Sequence, residues 1–170
     1  YIARGGFLRK RDLAEHVTRV EDPVMITYRG YTILKCDTWT QGPYLSQSLR
    51  LLEGFDLQRM GFLSADYIHV VTEAMKLALA DRDEYYGDPL FSTVPLEALL
   101  SDQYTKLRRQ LIDMQKASRE LRPGDPINMQ ALLQRKPRTF PNSGGTTTCV
   151  VADRWGNVVA ATPSGLSSIE

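Results

Sequence analysis

Apolar and polar positions alternate with two different periods along this chain, and the changes of period mark its elements. Leu13 and Val17 stand four residues apart within residues 11–17, the spacing of one helical face. Pro23 ends that pattern. Residues 24–28 and 31–36 follow as two β-branched and aromatic runs with only Arg29-Gly30 between them, which predicts a tight hairpin. After Gly42-Pro43, Leu45, Leu49 and Leu52 give an apolar stripe to a helix over residues 44–53. Ser64 is placed to cap the longest helix, residues 65–85, in which Ile68, Val71, Met75, Ala78 and Leu79 share a face while Glu73 and Lys76 read as its solvated side. Gly87-Asp88-Pro89 ends it. Pro95 opens a short helix containing Leu96, Leu99 and Leu100, and Asp102 caps a last one whose buried face is Tyr104, Leu107, Leu111 and Met114.

From about residue 117 to 143 the periodicity dissolves into charged residues and prolines (Pro123, Pro126, Pro137, Pro141), with one short helical possibility around residues 129–133. A loop this long inside a compact domain is uncommon and is usually functional or disordered. It feeds directly into Gly144-Gly145-Thr146-Thr147-Thr148. The threonines open an apolar run to Ala152, and a turn at Arg154-Trp155-Gly156-Asn157 separates it from a second run over residues 158–162, which predicts another hairpin. Hydroxyls at a strand end beside a Gly-Gly pair fit two descriptions: chemical equipment, or ordinary loop and strand residues.

Composition narrows the function classes. The 170 residues, 42% hydrophobic and 24% charged, suffice for one domain with a buried core. A net charge of +1 from 21 basic and 20 acidic side chains leaves no basic stripe for nucleic acid and no polybasic membrane anchor. No stretch approaches the roughly 20 apolar residues of a membrane span, and the first residues lack a signal peptide's apolar core. Tyr1 is not an initiator residue and Glu170 follows the second hairpin closely, so the sequence reads as a piece of a longer protein.

Candidate chemistry outside the threonine run is thin. Cys36 and Cys149 have no metal-ligand spacing and, within or at the end of apolar runs, are expected to be small buried hydrophobes. His16 and His69 stand far apart and form no zinc or triad grouping. Gly5-Gly6 and Gly144-Gly145 match neither the dinucleotide nor the P-loop spacing, so no cofactor and no metal is expected. Asp81, Arg82 and Asp88 read as structural ion pairs and caps.

Taken in order, the segments of the chain resemble the γ-glutamyltranspeptidase family. Those that carry the resemblance are Gly5-Gly6-Phe7-Leu8, Asp12-Leu13-Ala14, Tyr28-Arg29-Gly30-Tyr31, Leu51-Leu52-Glu53-Gly54-Phe55-Asp56-Leu57 and Ser64-Ala65-Asp66-Tyr67-Ile68-His69. They continue through Glu73-Ala74-Met75-Lys76-Leu77-Ala78, Ala80-Asp81-Arg82, Gly87-Asp88-Pro89 and Val94-Pro95 to Thr146-Thr147, Val150-Val151 and Gly156-Asn157. Each is weak alone; their order and spacing together are specific.

The resemblance implies an α+β fold, part of the αββα sandwich of N-terminal nucleophile hydrolases, made as a precursor that cuts itself into a large and a small subunit. Matching Thr-Thr and the downstream Gly-Asn places the cut at Gly145-Thr146 and the nucleophile at Thr146. Residues 1–145 then belong to the large-subunit region and 146–170 to the start of the small one, within one structural domain. Thr147 and Ser164 are the implied supporting hydroxyls. Implied partners are a γ-glutamyl or related amide, an acceptor amine or water, and the rest of both subunits, whose residues beyond Glu170 would supply the oxyanion hole; family members are commonly periplasmic, secreted or surface-bound.

The chain departs from the family pattern at three places. Thr148 and Cys149 stand where histidine and an aromatic residue are usual, and residues 37–43 replace a proline- and Ser-Gly-Gly-rich segment. Residues 163–168 replace a Thr-x-Asn signature: Ser164 keeps a hydroxyl there, but no asparagine matches, and asparagine is the residue expected to meet the substrate's α-carboxylate. Three functions fit: a self-processing hydrolase or transferase of glutathione-type γ-glutamyl amides, the same machinery acting on another amide as in related acylases, or a non-catalytic structural piece.

Overall fold

Arg29 and Gly30 both take positive φ, 49° and 85°, the backbone of the two-residue turn whose twist matches paired strands. They join β1 (Val24–Tyr28) to β2 (Tyr31–Lys35) in antiparallel register, with Ile26 opposite Ile33 and Met25 opposite Leu34. The computed structural model of the 170-residue chain describes residue 3, residues 5–134 and residues 149–161. The chain forms two units, residues 1–137 and residues 138–170.

In the first unit, α1 (Lys10–Glu15) is followed by the β1–β2 hairpin, α2 (Gly42–Leu52), α3 (Leu57–Met60), α4 (Ala65–Tyr85), α5 (Leu96–Leu99) and α6 (Asp102–Arg109). α4 is the axis of this unit, and α2 lies in contact with α4, α6 and both strands. The apolar core is Leu51, Leu52, Val70, Ala74, Leu77, Ala78 and Ile112, with Tyr44, Phe55, Leu57 and Met60 packed around it. Small Ala74 and Ala78 let neighbouring backbones approach α4 closely. Serine caps start two helices: Ser64 Oγ accepts from Tyr67 N (3.1 Å) and Ser101 Oγ from Tyr104 N (3.2 Å).

The hairpin and the span of α4 agree with the sequence pattern; the buried faces of the helices agree only in part, at Ala78, Leu52 and Tyr104. In α4 Ile68 and Met75 are exposed while Glu73, Asp81 and Glu84 are buried with Val70, Ala74 and Leu77. In α2 Leu45 is exposed and the buried positions include Ser46, Gln47 and Ser48. In α6, capped by Ser101 rather than Asp102, the buried face is Tyr104, Thr105 and Arg108, and Met114 is exposed. The physical reason is common to all three: they face a polar cluster, so the inward side is set by hydrogen bonding as well as by apolar area. α1 buries nothing, since Leu13 and Val17 are exposed. Residues 129–133 form no helix; Asp125 and Gln130 make an antiparallel bridge instead.

Both cysteines are exposed, contrary to the expected burial. Cys36 shares the outward parity of Leu34 on a two-stranded sheet, where exposed Met25 and Leu34 line the outer face. In the second unit β3 (Cys149–Ala152) pairs with β4 (Val158–Ala161), Cys149 lying opposite Ala161, and every residue of both strands is exposed.

Gly54 shows how a missing side chain holds α2 in place. Arg109 crosses over it and donates to the carbonyls of Leu51 (2.9 Å) and Arg50 (2.8 Å), capping the C-terminal turn of α2. A Cβ at Gly54 would overlap Nε, Cδ and Cζ of Arg109. Losing those two charged hydrogen bonds outweighs the ~0.4–1 kcal/mol that Gly→Ala gains through the unfolded chain, because each is worth about 1.5–3 kcal/mol. Gly54→Ala is therefore expected to lower unfolding free energy by about 2–5 kcal/mol in urea titration.

Candidate functional site

Of the residues singled out by sequence, Gly145, Thr146, Thr147 and Ser164 lie outside the described residues. What is described is the hairpin immediately after the threonines and the anchorage of the chain before them. The hairpin turn is tied by one carboxylate: Asp153 Oδ1 accepts from Trp155 N and Asn157 N, both at 2.9 Å, and Oδ2 from Asn157 Nδ2 at 2.8 Å. The Asn157 side-chain amide, with the backbone amides of Asn157, Trp155 and Gly156, holds the Asp153 carboxyl below its ordinary value against the opposing effect of desolvation. Gly156 supplies the positive φ of 88° that the turn needs. Sequence placed this turn correctly, and its Gly-Asn pair is fixed three positions past Asp153.

Upstream lies a buried ionic cluster. Asp81 of α4 and Arg108 of α6 pair at 3.0 Å with both side chains 0% exposed. Asp81 also accepts from Gly124 N (2.8 Å), Gln47 Nε2 (2.6 Å) and Tyr104 OH (3.1 Å). Burial pushes the Asp81 carboxyl upward, against the Arg108 charge and the Gly124, Gln47 and Tyr104 donors, which favour the carboxylate. Burial, and then the Asp81 charge, raise Tyr104 so that it remains a neutral donor. Arg108 spends its remaining N–H groups on the carbonyls of Leu77 (3.2 Å), Ala131 (2.6 Å) and Arg122.

Sequence reading gave Asp81 a structural ion pair and missed Arg108, Tyr104, Gln47 and Gly124. The available signal was Asp81 itself, an acid closing the apolar run Leu77-Ala78-Leu79-Ala80 on a helix. Asp88 also acts structurally, its Oδ1 accepting from Leu90 N at 2.9 Å, and Arg82 donates to Asp83 and to Gln41 Oε1 (2.7 Å).

Glu73 is a second buried acid, not the solvated residue expected. Its carboxylate accepts from Lys76, from Ser118 N (3.1 Å) and from Arg122 Nη2 (2.7 Å), with 2% side-chain exposure. Burial alone would raise its pKa; the Lys76 hydrogen bond and charge, the Ser118 amide and the Arg122 charge together bring it below the ordinary carboxyl value. A folded pKa under the unfolded one of about 4.3 stabilises the protein above that pH, and the contribution is lost as pH falls through the folded pKa. The stability advantage of wild type over Glu73→Gln is thus expected to be full at neutral pH and to shrink between about pH 5 and 3, by urea midpoints.

Among the described residues no three His, Cys, Asp or Glu side chains come together as a metal site, and no helix is long and apolar enough to cross a membrane. His69 Nε2 lies 2.8 Å from the carbonyl oxygen of Asp113, tying α4 to the loop after α6.

Comparison with known proteins gives one answer. The family profile described as Gamma-glutamyltranspeptidase matches residues 2–167. The glutathione hydrolase proenzyme of Bacillus subtilis (strain 168) is 35% identical over 166 residues, covering 93% of this chain and 28% of the relative. The acylase ACY 1 proenzyme of Pseudomonas sp. (strain SE83) is 36% identical over 165 residues, 94% of this chain and 26% of the relative. The crystal structure of the Helicobacter pylori γ-glutamyltranspeptidase superposes with a TM-score of 0.64 and 34% identity, over 68% of this chain and 33% of that one. The chain thus spans about a quarter of the length of the curated relatives it matches.

Proposed function

Because the chain belongs to the γ-glutamyltranspeptidase family and shares its α+β fold, part of an αββα sandwich, we propose that it forms the self-cleaving region of an amide hydrolase or acyltransferase. The observation that supports this most is a single family match, over residues 2–167, that spans both sides of Gly145-Thr146. In this reading the Thr146 hydroxyl attacks the Gly145 carbonyl carbon, the C–N bond breaks as the amine takes up the hydroxyl proton, and water hydrolyses the resulting ester. The products are a Gly145 carboxylate and a free Thr146 α-amine.

That amine then serves as base for the hydroxyl on its own residue. Unperturbed, it titrates near pH 7.7–8.0, so a substantial fraction is neutral and able to accept the proton at working pH. Thr146 forms an acyl-enzyme with the substrate amide, releasing its amine, and water or an acceptor amine takes the acyl group. Thr147 and Ser164 are proposed to orient the nucleophile by hydrogen bonds.

The acyl group is proposed to be γ-glutamyl, as in glutathione-type compounds. A second reading, another amide, is favoured by the absence of asparagine from residues 163–168 and by the 36% identity to an acylase proenzyme. Intact mass of a full-length precursor carrying this chain tests both: two chains are expected, the smaller starting at Thr146. A precursor that stays whole sinks the enzyme reading. If it splits, the ratio of rates on γ-glutamyl anilide and on other acyl anilides decides between the two substrates.

A further inference from the structure

Residues 111–122 form neither helix nor strand, yet three side chains of α4 pin them from one side. His69, Glu73 and Lys76 stand at i, i+4 and i+7, one face of that helix. His69 Nε2 donates to the Asp113 carbonyl (2.8 Å), Lys76 donates to the Ser118 carbonyl, and Glu73 Oε1 accepts from Ser118 N (3.1 Å). Arg122 closes the loop: its Nη1 donates to the Leu111 carbonyl at 2.8 Å while Glu73 holds its Nη2 at 2.7 Å. A loop whose backbone is pinned in this way gives up little further freedom when something binds to it. It borders a cavity of about 800 Å³, lined among others by Leu111, Asp113, Lys116, Arg119 and Glu120. Small-ligand sites commonly span ~300–1,000 Å³.

The pins spend polar groups on the loop's backbone, and the loop's own charged side chains are left over. Lys116, Arg119 and Glu120 are exposed, and their side chains make no hydrogen bond or ion pair among the described residues. Asp113 commits one carboxylate oxygen, Oδ1, to Gln115 N at 2.8 Å. Two cations and two carboxylates on the wall of one cavity complement a ligand that carries both charges. A simple anion would meet Asp113 and Glu120, and a simple cation would meet Lys116 and Arg119, so a ligand of one sign is disfavoured. We propose that this loop binds a short zwitterionic peptide, of roughly two or three residues by the size of the cavity. Its carboxylate pairs with Lys116 and Arg119 and its ammonium with Glu120 and Asp113. None of these residues takes part in the chemistry proposed above, so the site does not rest on the reading of Thr146.

The test introduces Ala117→Cys at the exposed wall of the cavity in the full-length protein, attaches a trifluoromethyl tag to the thiol, and follows its fluorine resonance. The native cysteines, exposed Cys36 and Cys149 among them, are tagged as well, and their signals are identified in protein without the substitution. The probes are glycylglycine, its C-terminal amide, which lacks the carboxylate, and its N-acetyl form, which lacks the ammonium. Glycylglycine is expected to shift the resonance of the position-117 tag saturably, at a concentration ~5-fold lower than either derivative, the upper worth of one exposed charge pair. Adding Lys116→Ala with Arg119→Ala is expected to raise the half-saturation of glycylglycine ~5-fold and to erase its advantage over the amide, while its advantage over the N-acetyl form stays. These side chains are exposed, so the urea midpoint remains at its wild-type value; a general distortion of the loop would instead weaken all three probes alike. The proposal is overturned by no response to glycylglycine, by equal responses to the three probes, or by a half-saturation that the paired substitution leaves unchanged. A precursor that never splits sinks the reading of Thr146 and leaves these titrations as they are, so the two failures are told apart.

Discussion

Thr146→Ala is expected to leave the precursor as one chain on a denaturing gel and to abolish anilide hydrolysis. The size of the effect follows from what the substitution removes. Without the hydroxyl there is no attack on Gly145, so the α-amine that would serve as base is never released, and maturation and turnover fail together. Where nucleophile and base act as a unit, removing one member costs about as much as removing all, roughly 10⁶-fold in a serine protease triad. Thr146→Ser keeps a hydroxyl and is expected to split and to turn over, which separates loss of the nucleophile from damage to the fold. Thr147→Ala keeps the nucleophile and is expected to split as well. If Thr146→Ala splits at the wild-type rate, the nucleophile lies elsewhere and the match of Thr-Thr to Gly156-Asn157 has been read one position out of register.

How much of this was legible depended on whether the signal was local. The turn at Arg29-Gly30 is written in two residues whose backbone angles only certain sequences adopt easily, so the strand pair it joins emerges from the sequence with its register. The start of α4 at Ser64 and its end before Gly87-Asp88-Pro89 are local in the same sense. The order of short motifs was legible too, and it carried the family. Burial was not. In α4 the inward face carries Glu73 and Asp81, whose partners Arg122 and Arg108 lie 49 and 27 residues away in sequence. An apolar stripe assigns an acid such as Glu73 to solvent because periodicity cannot register a distant guanidinium. Exposure of Ile68 and Met75 is the counterpart of the same error: those residues completed a plausible stripe, and the cluster at Asp81 turned the helix away from it.

Asp81→Ala is expected to cost about 3–5 kcal/mol of unfolding free energy, a large share of a typical total of about 5–15. The intact pair is not itself worth that much, since desolvating two charges nearly cancels their attraction. The loss comes from what is left behind. Arg108 would remain a cation at 0% exposure without the carboxylate that accepts its Nε and one Nη, and Gly124 N, Gln47 Nε2 and Tyr104 OH would lose their acceptor in the same place. Asp81→Asn with Arg108→Met leaves no stranded charge and keeps an oxygen for Gly124 N. It should therefore unfold at a higher urea concentration than Asp81→Ala even though it changes two buried residues instead of one. Urea midpoints at constant m-value measure that order directly. Asp81→Ala within about 1 kcal/mol of wild type would mean that water reaches Arg108 once Asp81 is gone.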